Sequence, residues 1–312
     1  MVVILLFIMI GSVLGSYFPV IGVLGNPIPY NTGDMKSDYV EHTYVKWLES
    51  LGGKVVVIHP WHTHNQIDEI MSNINGILFQ GGDRNLSLSN PFEQTAWYIF
   101  NKTIEYNSKG NYLPLWATCQ GFELVHSLLM NKVDLPSFDA YDYPSPIILT
   151  NDTSRMYQYM TKEDLHNIRT KNIITELHNY GINEIQYKTY PILDRFFKIT
   201  SFAYDRHMVK YVASAEARDY PIYAVQYHPE EVPFDKYDPY INVTYEAIRV
   251  QQALGNFFVN EARKNLNKVE DRKDWDYIDS NKVIPDYYQG SYYYIFYNKI
   301  YILFYENARI ES

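Results

Sequence analysis

Leu113-Pro114-Leu115-Trp116-Ala117-Thr118-Cys119-Gln120-Gly121-Phe122-Glu123-Leu124-Val125-His126-Ser127-Leu128-Leu129 reads as a strand, a sharp turn and a helix. An apolar run stops at small residues, Cys119 follows, and Gly121 lets the chain turn. Beyond it, Phe122, Val125 and Leu129 are spaced to share one helical face. Such an elbow lifts a nucleophile above the end of a sheet. Cys119 is the one cysteine among 312 residues. At the positive end of a helix its thiol is expected to ionise more readily. On residue type alone, Cys119 reads as a small buried hydrophobe. The elbow and a histidine motif downstream reverse that reading.

Outward from the elbow the pattern alternates strand and helix. Val20–Leu24, Lys54–His59 and Ile74–Phe79 are apolar and β-rich. Asp38-Tyr-Val-Glu41 predicts a helix start, with Asp38 as N-cap and Glu41 reaching back. Val40, Tyr44, Trp47, Leu48 and Leu51 form its inner stripe, and Gly52-Gly53 ends it. A second helix is expected over Pro91–Tyr106. Pro221–Gln226 reads as a further strand, and an amphipathic helix runs over about Tyr245–Lys264. Alternation with apolar strands predicts an α/β fold: a mostly parallel central sheet with helices on both faces. Ligands in such sheets bind at the carboxyl ends of strands, where Gly81-Gly82 and Cys119 both fall. Residues 131–200, less regular and proline-bearing, are expected to be an insertion that shapes the pocket.

The ends read differently. Residues 1–16 are an unbroken apolar run closing in small residues, as a secretory signal does, with cleavage near Gly15 or Ser16. That run is too short to span a bilayer, so no stable membrane anchor is expected. Residues 17–270 are expected to form the catalytic domain. Residues 271–312, a Tyr-rich tail, are expected to pack on it, with strands at Ser291–Tyr297 and Ile300–Tyr305. Asn85, Asn101, Asn151 and Asn242 each open an Asn-X-Ser/Thr acceptor triplet, in keeping with a secretory route to a lysosome, a vacuole or the extracellular space. A lone thiol in an oxidising compartment is a liability unless buried or used.

The formal net charge is −9, with no basic run, which argues against a nucleic-acid partner. Protonating the nine histidines would cancel that charge, so repulsion of an anionic substrate would fade in an acidic compartment.

A cysteine nucleophile needs a base, an orienter and oxyanion donors. His228, at the end of the Pro221–Gln226 run, is the best base, and Glu230 lies two residues on, able to hold an imidazole nitrogen. Ala117-Thr-Cys-Gln-Gly121 and Gln226-Tyr-His-Pro-Glu230 resemble the cysteine elbow and histidine–proline–glutamate motif of class I glutamine amidotransferases. More closely, the chain resembles the γ-glutamyl hydrolases. The resemblance runs through Tyr44–Ser50, Ile74–Phe79, Pro114–Glu123, Tyr220–Glu230 and Phe257–Asn265, in family order over about residues 19–270.

That resemblance implies a class I amidotransferase-like (flavodoxin-like) sandwich. It implies a hydrolase that trims poly-γ-glutamate from folates or acts on other γ-glutamyl peptides, working as a homodimer without metal or cofactor. Cys119 would be the nucleophile, His228 the base and acid, and Glu230 its orienter. The backbone N–H groups of Gly82 and Gln120 would form the oxyanion hole, and His178 would match a functional histidine of the insertion. The family elbow usually opens with Gly where this chain has Ala117, a residue that resists positive φ. Gln120 stands where the family is commonly apolar, and only its backbone is needed.

Two other readings stay open: a glutaminase feeding ammonia to a synthetase, and a secreted non-catalytic relative that binds γ-glutamyl chains. His59-Pro-Trp-His62-Thr-His64 resembles a metal cluster but has no carboxylate or Cys at ligand spacing. Gly81-Gly82-Asp83 lacks the Lys-Ser/Thr of a phosphate loop.

Overall fold

The apolar runs at 20–24, 54–58, 76–79, 115–118 and 222–225 are buried almost throughout, and they pair with one another in parallel. In the computed structural model they are part of an alternating chain. β1 (Val20–Leu24) and the short β2 (Asn26–Pro27) precede β3 (Ser37–Glu41), α1 (His42–Ser50), β4 (Lys54–Ile58), α2 (His64–Asn73), β5 (Gly76–Phe79), α3 (Pro91–Ser108), β6 (Leu115–Thr118) and α4 (Gln120–Met130). The insertion holds β7 (Ser137–Ser145), β8 (Ile148–Leu149), α5 (Lys162–Thr170), β9 (Ile174–Tyr180), α6 (Glu184–Thr189) and α7 (Pro191–Phe196). Then come β10 (Phe197–Tyr204), β11 (Lys210–Ala217), β12 (Ile222–Val225), α8 (Tyr245–Arg263), β13 (Tyr277–Ile278), β14 (Asp286–Tyr288) and β15 (Ser291–Tyr297). The structure describes residues 18–28, 37–150, 154–232, 234–235, 238–268, 275–282, 285–288 and 291–297. The secretory signal, Asn151 and the strand expected at Ile300–Tyr305 lie outside the described residues.

The main sheet has the order β13-β4-β1-β5-β6-β12-β11-β10-β8. Its β4–β12 span is parallel, and antiparallel strands close both edges. Alternate side chains of each strand feed two cores. One joins Ile21 and Val23 to Tyr44, Trp47, Leu254 and Phe257 from α1 and α8. The other joins Val20 and Leu24 to Ile67, Phe100, Phe122 and Val125 from α2, α3 and α4. Burial on both faces explains why the strands read as unbroken apolar runs. This is the expected α/β fold, a mostly parallel central sheet with helices on both faces. Among the described residues no helix is long and apolar enough to cross a membrane.

One expected helix start is corrected. Residues 37–41 are strand, paired to β2 and β15, and α1 begins only at His42 without a side-chain cap. Asp38 is not an N-cap, because its buried carboxylate faces His59 instead. The sheet partners override a local capping signal, and one of them, β15, comes from the far end of the chain.

Candidate active site

β5, β6 and β12 are neighbours in the sheet, and their carboxyl ends carry Gly81-Gly82, Cys119 and His228 respectively. The site is therefore an outcome of strand order. The middle strand delivers the cysteine, one flank a glycine loop, the other an imidazole.

Cys119 follows β6 directly and precedes the first residue of α4. Its backbone sits at φ 50°, ψ −110°, a conformation a non-glycine residue rarely adopts. The Cys119 N–H donates to the Val225 carbonyl at 2.8 Å, tying the elbow to β12. Ala117 keeps strand geometry, so the strain falls on Cys119 and the absence of Gly at 117 costs nothing. Gly121 is needed for a reason other than turning. A Cβ there would lie 2.4 Å from the Phe79 carbonyl oxygen, so α4 approaches β5 too closely for any side chain.

His228 follows β12, and its own N–H donates to Thr175 O on β9 at 2.9 Å. Its Nδ1 is 2.6 Å from Oε1 of Glu230 and 4.0 Å from Glu231. Its Nε2 has no partner among the described residues and is the nitrogen left for the thiol. Gly81 packs against both side chains: a Cβ on it would lie 2.9 Å from His228 Cε1 and 3.4 Å from Cys119 Cβ. The thiol is also 4.0 Å from the Leu177 carbonyl and 3.9 Å from Gln226 Nε2.

Electrostatics alter one expectation. Burial pushes the Cys119 thiol up from its ordinary value, and His228 only opposes that. Burial alone would depress His228, but the facing Cys119 and Glu230 outweigh it and raise the imidazole well above its usual range. Burial and the nearby Glu41 and Glu230 hold Glu231 well above the carboxylate range.

The loop after β5 is fastened from several sides. Gly81 N–H donates to Tyr44 Oη at 2.8 Å, and Asn26 Nδ2 donates to Gly81 O at 2.6 Å. Gln80 Nε2 donates to the Leu24 and Tyr39 carbonyls, and its Oε1 accepts from Glu41 N–H. The Gly82 N–H has no acceptor among the described residues, and Gln120 N–H heads a helix, where no intrahelical acceptor exists.

His178 lies in β9, the strand that walls the elbow, and its Nε2 makes no hydrogen bond among the described residues. Nδ1 is 2.8 Å from the Tyr180 carbonyl, Nε2 is 3.2 Å from Glu176 Oε2, and the ring meets Tyr211 edge-on. It reaches the site through charge, stabilising the ionised form of Glu123. Sequence reading missed Glu123, Gln226, Tyr44 and Asn26. Gln80 and Gln226 each end an apolar strand run with a buried amide, and that interruption was the available signal.

His228, Glu230 and Glu231 are the one group among the described residues able to offer three metal donors within 4.8 Å of one another. In this group His228 and Glu230 are already hydrogen-bonded to each other, which suits proton transfer. Of the 59–64 histidines, His59 and His62 meet edge-on with ring centroids 4.8 Å apart, and His64 lies against another residue. His62 Nδ1 accepts from His59 N–H, and His64 stacks on Tyr98. His59 does have carboxylates, contrary to the expectation from spacing. Asp38 and Asp276, distant in sequence, lie 3.0 and 2.9 Å from its two nitrogens.

The peptidase C26 family model matches residues 19–230. The chain belongs to the peptidase C26 family. It is 33% identical to γ-glutamyl hydrolase B of Dictyostelium discoideum over 264 residues, covering 82% of this chain and 75% of that one. It is 32% identical to γ-glutamyl hydrolase of Homo sapiens, covering 79% of this chain and 78% of that one. The structure of PurLQS from Thermotoga maritima superposes with a TM-score of 0.49 at 13% identity, covering 77% of this chain and 99% of that one. As a C26 member the chain is an enzyme, a hydrolase of the cysteine-peptidase type.

Proposed function

We propose that this chain hydrolyses γ-glutamyl bonds, with Cys119 as nucleophile, His228 as base and acid, and Glu230 as its orienter. The observation that carries the proposal is the meeting of a strained cysteine elbow with a His228–Glu230 pair at 2.6 Å on adjacent strand ends. In the first step the Cys119 sulfur attacks the γ-carbonyl carbon as its proton passes to His228 Nε2. The C–S bond forms and the carbonyl electron pair moves to oxygen, where the N–H groups of Gly82 and Gln120 would receive it. Collapse breaks the C–N bond, and the departing amine takes the proton from His228. Water, deprotonated by His228, then attacks the thioester, and the γ-carboxylic acid and the thiol are released.

The relatives' names support a γ-glutamyl compound as substrate, and we extend the reading to a poly-γ-glutamylated folate or another γ-glutamyl peptide. We extend the reading to a homodimer reached through the secretory route. Exposed sequon asparagines at 85 and 101 agree with that route; Asn101 Nδ2 donates to the Trp97 carbonyl and Asn242 Nδ2 to the Asn172 carbonyl.

The test is glutamate release from a γ-glutamyl peptide by pure protein, by the Cys119→Ala variant, and after thiol alkylation. Loss in both treated samples is expected. Turnover within a few fold of the parent in Cys119→Ala would overturn the assignment.

A further inference from the structure

The side chain of Gln120 forms a two-point clamp on one residue of the opposite loop. Its Oε1 accepts from Arg84 N–H at 3.2 Å, and its Nε2 donates to Arg84 O at 2.6 Å. Both the donor and the acceptor of one backbone residue are thus held by a single side chain, which is buried. The clamp joins the first residue of α4 to the loop that follows β5. Gly82 lies under it: a Cβ there would meet Gln120 Oε1 at 3.0 Å and Asn26 Nδ2 at 2.8 Å. Beyond the clamp the Arg84 guanidinium lies over the Phe92 ring at 4.7 Å, and Ser87 N–H donates to Glu93 Oε1 at 3.2 Å. The loop is therefore anchored to α3 at its far end, to Tyr44 and Asn26 at its near end, and to the nucleophile's own helix at Arg84.

We infer that the Gln120 side chain is a positioning residue: it fixes the distance between the Gly82 N–H and the Gln120 N–H, so that both meet one oxyanion. This rests on the proposed Cys119 mechanism and adds to it a side-chain role for a position whose backbone alone seemed needed. The physical argument is preorganisation. Oxyanion donors lower the barrier when they are already in place, and a misplacement on the order of 1 Å costs up to about 100-fold. Gly82 has no side chain to wedge itself, so its place is set by its neighbours.

Gln120→Leu keeps the backbone N–H and removes both clamp bonds. We expect kcat to fall roughly 10- to 100-fold with KM within about threefold. A γ-glutamyl aldehyde, which forms a tetrahedral adduct with the thiol, should lose affinity by the same factor as kcat. Binding of intact γ-glutamyl substrate to the doubly substituted Cys119→Ala, Gln120→Leu protein should match binding to Cys119→Ala alone. Gln120→Met, nearly isosteric, carries the same expectations should the leucine variant fail to fold. Parent-like kcat, or equal losses in aldehyde and substrate affinity, would overturn the positioning role. The underlying mechanism falls separately, through an active Cys119→Ala protein.

Discussion

His228 Nδ1 stands 2.6 Å from Glu230 Oε1, while Glu231, the next residue, comes no nearer than 4.0 Å to the same nitrogen. Two adjacent glutamates follow the His228-Pro229 step, and geometry separates them. His228→Asn is expected to lower kcat by roughly 10⁴-fold, because the proton acceptor itself is lost. Glu230→Ala should be milder, roughly 10²-fold, since it removes tautomer and orientation control only. Glu231→Gln should stay within about tenfold of the parent. Single-turnover assays rank the three, and a Glu231 effect larger than that of Glu230 would reverse the assignment.

Cys119 titration offers an independent check. Burial raises the thiol and His228 opposes it, so inactivation by iodoacetamide should still be accelerating as pH passes 9. His228→Asn removes the opposing influence and should move the profile to higher pH. A plateau already reached at pH 6 would show an activated thiolate of the kind the helix terminus alone suggested.

Why the elbow was legible and other parts were not follows from where each constraint lives. Cys119, Gly121 and the Phe122–Leu129 stripe are local, and strand-to-helix alternation places them at a sheet end without knowledge of partners. Asp38 failed as an N-cap because its partners, His59, β2 and β15, are brought in by topology. The carboxylates around His59 were invisible for the same reason: they come from positions 38 and 276. Tyr44 shows a subtler failure. It does belong to the buried stripe of α1, but its hydroxyl reaches Gly81 N–H, and periodicity reports a face rather than the atom at its tip.

Gly121 tests packing at the elbow. Its missing Cβ would sit 2.4 Å from Phe79 O and 2.9 Å from Phe79 C, backbone atoms of a central strand that cannot swing aside. Gly121→Ala should cost about 1–3 kcal/mol of stability, read by denaturant unfolding, and should reduce kcat by displacing the helix that carries Gln120. Unchanged stability would mean the strand and helix separate freely here.

The His59 cluster predicts a pH dependence of stability. His59 is raised to about 9: burial alone would lower it, but Asp276 and Asp38 outweigh that. Asp38 is raised to about 6 by burial, against His59. Both folded-state values lie above the ordinary ones, so both contributions are present at low pH and lost as pH rises. For Asp38 the loss spans roughly pH 4 to 6, and for His59 roughly pH 6.5 to 9. Tm should therefore fall by on the order of 5 °C from pH 6.5 to 9.5. His59→Gln should flatten that decline. A Tm that climbs over the interval, or an equal slope in the variant, would count against the pairing.

Glu123 gives the sharpest prediction about activity. It is buried in the first turn of α4, and Gln226 Nε2 reaches both its Oε1, at 3.2 Å, and the Cys119 sulfur, at 3.9 Å. Burial raises its carboxyl to about 7, against the influence of His178, Gln226 and His228. Below that pH it is neutral and tolerates an anionic γ-glutamyl α-carboxylate nearby. Above it, the ionised group repels the same carboxylate at short range, in surroundings where water screens little. Hence kcat/KM on a γ-glutamyl dipeptide should fall as pH rises through 7, approaching about tenfold per unit if only the neutral form is productive. Glu123→Gln, neutral at every pH, should remove that limb. A variant that keeps the parent's decline above pH 7 would assign the limb to the Cys119–His228 pair instead.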